Sequence, residues 1–146
     1  ALIGSKCDQH FEAREFVELA PLGAREALTR IANSFLNLMF HPDVIALHRV
    51  LMTSASAETH MNQVFWDAGP CPTLTAMVGL LEHFDANGVL RVPKPMRAAD
   101  QFFAMLKGSE HLQVLLDVGA SPDGAALTEL ADDTVAMFLR AYAPPA

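Results

Sequence analysis

Six histidines are the residues of this sequence best suited to acid–base or metal chemistry: His10, His41, His48, His60, His83 and His111. A zinc protease needs H-E-x-x-H on one helix, and a di-metal bundle needs a His/carboxylate pair repeated on two helices. Neither pattern occurs, and the adjacent Glu82 and His83 point to different sides of any helix. Nucleophilic catalysis is equally unsupported. The serines lie in no G-x-S-x-G elbow, Cys7 and Cys71 sit in no Cys/His signature, and no G-x-x-x-x-G-K or G-x-G-x-x-G loop is present to cradle phosphate. These residues point away from an enzyme, a metal or a cofactor, and toward binding.

The inventory suited to binding is soft and apolar. Seven Met and nine Phe occur in 146 residues, and Met fills irregular space and adapts to ligands of varied shape. Phe35, Met39, Met52, Met61, Phe65, Trp66, Met77 and Phe84 fall on helix faces that converge. They either line a small-molecule pocket or fill the core. His48 lies on an otherwise apolar face, as a hydrogen-bonded core residue or as the polar contact of that pocket.

Composition narrows the partners. Ten Lys+Arg against seventeen Asp+Glu give a net charge of −7 with no dense basic cluster, so these residues repel a phosphate backbone. An apolar fraction of 51% excludes disorder, and no run approaches the roughly 20 apolar residues of a membrane span. Two cysteines without C-x-x-C spacing fit a reducing, cytoplasmic setting.

The elements that hold these side chains read as helices almost throughout. Leu28, Ile31, Ala32, Phe35, Leu38 and Met39 follow the i, i+3, i+4, i+7 spacing and predict one buried face on a helix from near Pro21 to His41. Pro42 disfavours helix at His41 and suits the first turn of a second helix, through Val44, Ile45, Leu47, His48, Leu51, Met52 and Ala55, so the two meet at a sharp bend. Glu58 to Ala68 predicts a short amphipathic helix, closed by Gly69-Pro70-Cys71-Pro72. A helix from near Thr73 buries Leu74, Met77, Val78, Leu81 and Phe84 and stops at Asn87-Gly88. Gly88 to Val92 predicts a connector without a partner strand.

Pro95 opens a long helix through Ala98, Ala99, Phe102, Phe103, Leu106, Leu112, Leu115 and Leu116 to Gly119, on the order of 33 Å at about 1.5 Å per residue. Ser121 as N-cap, Pro122 at the first position and Asp123 beside the dipole start the last helix, which ends near Tyr142. Both of these helices are apolar beyond one stripe, so each buries two sides. The second side is either the centre of the monomer or a partner subunit in an isologous four-helix bundle. Residues 1–20 permit one helix with a thin apolar stripe. The expectation is a single all-α domain of six or seven helices.

A family pattern runs from about Pro21 to Tyr142. It comprises Arg25-Glu26-Ala27-Leu28, His41-Pro42 followed by Ala46-Leu47-His48-Arg49-Val50, the turn Phe65-Trp66-Asp67-Ala68-Gly69-Pro70, and Gly88-Val89-Leu90-Arg91-Val92 leading through Pro95 to Ala98-Ala99-Asp100-Gln101-Phe102-Phe103. Leu139-Arg140-Ala141-Tyr142 closes it. In these features the chain resembles the C-terminal, ligand-binding and dimerisation domain of TetR-family transcriptional regulators, the AefR-like subgroup in particular. The stretch Thr53 to His60 is more polar than that subgroup's usual sequence.

The resemblance implies a bundle of the TetR C-terminal type over residues 21–146, with residues 1–20 as the connecting helix from an N-terminal helix-turn-helix head that this chain lacks. It implies a homodimeric regulator, expected to be a repressor, that releases DNA when a small apolar or amphipathic molecule enters the central helices. Pocket candidates are then Phe35, Met39, His48, Met52, Phe65, Trp66, Met77, Leu81 and Phe84. Dimer candidates are Phe103, Leu106, Thr134, Met137, Phe138 and Ala141. The alternative is a stand-alone helical protein–protein interaction module.

Overall fold

A computed structural model describes Phe16, residues 18–54 and residues 59–146 of the chain. The apolar periodicity folds into α1 (Ala24–Met39), α2 (Pro42–Thr53), α3 (Thr59–Ala68), α4 (Pro70–Ala86), α5 (Pro95–Leu115) and α6 (Gly124–Ala141), with a 3-10 turn at Ala20–Leu22 ahead of α1. No strand occurs among the described residues, in line with the all-α expectation. Most of the connecting helix expected over residues 1–20 lies outside the described residues, as does Ala55.

Local chemistry sets the boundaries. At the bend between α1 and α2, His41 Nδ1 accepts from the Asp43 N–H at 3.1 Å and Pro42 occupies the first turn. Gly88, at φ 70, stops α4 where expected, and the Val89 N–H donates back to the Phe84 carbonyl at 2.9 Å. The connector beyond it buries Leu90 and Val92 and is tied down twice, by Val92 N–H to Asp85 Oδ1 at 2.7 Å and by Arg91 N–H to the Tyr142 carbonyl at 2.9 Å.

Two helix starts differ from expectation. α4 begins at Pro70 rather than near Thr73, because the first N–H groups of a helix have no intrahelical acceptor and prolines there sacrifice nothing. Asp123, not Ser121, caps α6: its Oδ1 accepts from the Ala126 N–H at 2.8 Å, and Ser121 and Pro122 stand before the helix.

The larger correction concerns α5. The expected unbroken helix is interrupted at Gly108, whose φ of 52° and ψ of −156° lie far from helical values. Before the break, Ala98, Ala99, Phe102, Phe103 and Leu106 face the core. Continuing that phase would place residues 109, 110 and 113 inside. The break resets it, so His111 and Val114 are buried while Leu112 and Leu116, expected inside, are 55% and 63% exposed.

α5 is the hub of the packing. It lies against α4 and also meets α1, α2 and α6, while α1 pairs with α6. An aromatic chain joins three of these helices: Phe35 meets Phe103 at 4.7 Å between ring centroids, Phe102 meets Phe138 at 5.1 Å, and Phe138 meets Tyr142 at 4.6 Å. Phe16, Leu28, Ile31, Leu36, Met77, Leu81 and Val135 complete the buried core.

Gly108 occupies a backbone region that only glycine enters without strain, and a Cβ there would also sit 3.1 Å from Glu110 Oε2. Gly108→Ala should lose about 1–3 kcal/mol of stability, at about 2–4 °C of Tm for each kcal/mol in a domain of this size. An unchanged Tm in thermal unfolding would show that the break does not depend on glycine.

Candidate functional site

The site is built on the far side of the Gly108 break. α5 ends in a six-to-one turn: Asp117 takes φ 59, the Val118 N–H donates to the Gln113 carbonyl at 2.9 Å and the Asp117 N–H to Val114 at 3.1 Å. Arg49 of α2 caps the same end, with Nη2 donating to the Val114 carbonyl at 2.6 Å and Nε to that of Leu115 at 3.1 Å. A cation suits the negative end of a helix dipole, where the last carbonyls lack the i+4 N–H groups of a continuing helix. The contact pins α2 across the end of α5.

That clamp sets the register of its neighbour, His48. The His48 ring lies 5.8 Å from the His111 ring at 77° and 5.5 Å from the Phe65 ring of α3 at 84°. Phe40, at the end of α1, meets His111 edge-on at 5.6 Å. His111 is 7% exposed, and its Nε2 is buried with no hydrogen-bond partner among the described residues. The Met39 backbone also acts on the ring, favouring its charged form slightly. Asn62, one turn before Phe65 on α3, likewise holds a buried Oδ1 without a partner among the described residues.

Electrostatics keep both imidazoles uncharged near neutral pH. Burial, with the Lys107 charge adding to it, pulls the His48 pKa below its ordinary value. Burial first, then the His48 and Lys107 charges, pull that of His111 down to about 4, against the smaller raising effect of the Met39 backbone. Two neutral imidazoles among aromatic edges can accept or donate hydrogen bonds to a bound molecule. Among the described residues no third His, Cys, Asp or Glu joins them to complete a metal site.

The expected pocket residues divide into three groups. His48 and Phe65 are half-buried and in contact, and Met39 joins them through its backbone. Met77, Leu81 and Phe84 are at most 1% exposed and belong to the core, with Phe35 against Phe103 close to them in burial. Met52 and Trp66 are 62% and 48% exposed and face outward. Of the expected dimer residues, Phe103, Leu106, Thr134 and Phe138 are buried within the protomer, whereas Met137 and Ala141 are exposed along α6.

Sequence reasoning missed His111 as a site residue, along with Asn62 and the Arg49 clamp. Periodicity extended unbroken from Leu106 puts His111 off the buried stripe. The one sequence signal was Gly108, three residues before it.

Depressed histidine pKa values carry a pH signature. Between about pH 4 and the ordinary histidine value near 6.5, the unfolded chain binds more protons than the folded one, so stability present above pH 6.5 is lost as pH falls through that window. His111→Leu should lose less stability than the parent between pH 6.5 and 4 in denaturant titrations, where carboxylate effects common to both proteins cancel. Parallel curves would show that His111 is not held uncharged by the fold.

Comparison with known proteins agrees with this architecture. The family model described as the AefR-like transcriptional repressor C-terminal domain matches residues 26–144. The solved structure of the Flavonoid-responsive Regulator FrrA superposes with a TM-score of 0.78 at 24% identity, covering 99% of this chain and 73% of that one. The crystal structure of a putative TetR-family transcriptional regulator from Mesorhizobium loti MAFF303099 superposes with a TM-score of 0.82 at 17% identity, covering 97% of this chain and 71% of that one. No curated protein matches. With more than half of its residues inside one family model, the chain belongs to the AefR-like, TetR-type transcriptional regulator C-terminal domains.

Proposed function

We propose that this chain is the effector-binding and dimerisation domain of a TetR-type repressor, and that an amphipathic aromatic molecule binding among α2, α3 and α5 lowers the affinity of the dimer for DNA. The observation that carries the reading is the buried, unpartnered Nε2 of His111 beside His48 and Phe65. Buried polar atoms without partners are rare in a native fold, and where they persist they mark bound molecules or solvent. FrrA is a flavonoid-responsive regulator, which supports an aromatic effector of similar size here.

The mechanism follows from where the site lies. His111 sits on the C-terminal part of α5, joined by one glycine to the part whose Phe102 packs on Phe138 of α6. In the proposal, the exposed face of α6 around Met137 and Ala141 pairs with a second copy, buttressed from behind by Phe103, Leu106, Thr134 and Phe138. Molecules that bind one arrangement of α5 better than another shift the dimer toward it. DNA reading belongs to N-terminal helix-turn-helix heads outside these residues, which must match half-sites roughly 34–36 Å apart. A small rigid shift then weakens binding. The setting is the cytoplasm.

Two outcomes test the reading. Flavone, the parent flavonoid, should raise the Tm of the parent protein in a thermal shift assay, and Phe65→Ala should weaken its binding by about tenfold, the loss of an aromatic contact worth roughly 0.5–1.5 kcal/mol plus buried area. No response to flavone or related aromatics would argue against an aromatic effector. In sedimentation equilibrium the chain should run at twice its 15.8 kDa mass, and Met137→Glu with Ala141→Glu should yield folded monomer. A persistent dimer would place the interface elsewhere, and a stable heteromeric partner would favour an adaptor.

A further inference from the structure

The chain is acidic overall, yet three basic side chains gather at the site with no carboxylate between them. His48 and His111 lie ring to ring at 5.8 Å, and Phe65 and Phe40 stand edge-on against them. Lys107 precedes the Gly108 break on the same helix as His111 and is half-buried. Its charge bears on both rings, where no carboxylate offsets it. Among the described residues Lys107 makes no hydrogen bond and no ion pair, and no Asp or Glu joins the two histidines. Withdrawing an ammonium from water without a counter-charge costs free energy. A bound anion would supply that counter-charge.

We infer that the effector is an aromatic acid whose carboxylate is held between the Lys107 ammonium and the His48–His111 pair, with its ring against Phe65 and Phe40. This rests on the effector reading above and specifies the chemistry of the molecule it takes. One carboxylate oxygen takes a charge-assisted bond from Lys107. The other takes one from His111 Nε2, which is buried without a partner and donates either as the neutral Nε2–H tautomer or as the imidazolium that a nearby anion favours. A neutral hydroxyl can bond an imidazole but leaves the Lys107 charge unmatched. An ammonium adds a second cation beside Lys107. A phosphate carries a second negative charge that one cation does not offset, and desolvating it among aromatic rings is costly. Of the simple polar heads, a monocarboxylate matches the site charge for charge.

The test is isothermal titration of the full chain at neutral pH with biphenyl-4-carboxylate, 4-hydroxybiphenyl and 4-methylbiphenyl, in the parent protein and in Lys107→Met and His111→Leu. The carboxylate should bind at least about tenfold more tightly than either neutral compound, although the net charge of the chain repels it. That preference should vanish in Lys107→Met and shrink in His111→Leu, while affinity for the methyl compound stays as in the parent; thermal unfolding of each variant verifies that it is folded. Equal affinity for all three compounds, tightest binding of a neutral one, or a carboxylate preference that persists in folded Lys107→Met overturns the inference while leaving an aromatic effector in place. A preference lost in Lys107→Met but undiminished in folded His111→Leu overturns the part given to His111. Failure of all three compounds to bind overturns this inference and the effector reading together.

Discussion

The backbone torsions of Gly108 decide where the polar chemistry of this domain lies. At φ 52° and ψ −156° the residue ends one helical phase and begins another, and only a residue without Cβ holds that conformation cheaply. An uninterrupted helix would turn Ser109, Glu110 and Gln113 toward the core and leave His111 toward solvent. With the break, Val114 and an imidazole enter the interior. Departures of this kind gather where a protein binds something.

A second interaction completes the geometry. The guanidinium of Arg49 spans the last carbonyls of α5 and fixes α2 against the segment that the break has turned. His48 precedes Arg49 in sequence, so the clamp that satisfies a helix end also presents His48 to His111 and Phe65. The same short stretch of α2 thus serves both packing and recognition. The contrast with the other half of α5 is sharp. There Ala98, Ala99, Phe102 and Leu106 are completely buried in an apolar hub shared with α1, α4 and α6, so the polar and the apolar parts of the helix are separated by one residue.

Much of this fold is legible in the sequence because its physics is local. The i, i+3, i+4 spacing of Leu28 to Met39, the Pro42 bend and the Asn87-Gly88 stop each act within a turn or two of helix, and each appears where the residues put it. Boundaries governed by competing caps are less legible: Asp123 outcompetes Ser121 because its carboxylate reaches the Ala126 N–H. The site is legible only in part. His48 and Phe65 lie on faces that periodicity can assign, but His111 depends on a torsion at Gly108 that the pattern of apolar residues does not encode. Met52 and Trp66 show the converse, since helical spacing alone does not distinguish a face turned to the core from one turned to solvent. Phe138 and Leu106 satisfy any pattern for an interface and are nonetheless consumed by the protomer's own core.

The central claim is that His111 is an interior, uncharged imidazole whose Nε2 has no partner among the described residues. Histidine-selective 15N NMR across pH reads the charge state directly, since nitrogen shifts separate the neutral and charged forms. The His111 ring is expected to be neutral at pH 7, with no charging until the pH approaches 4. A His111 that titrates near its ordinary value of about 6.5 would contradict the claim.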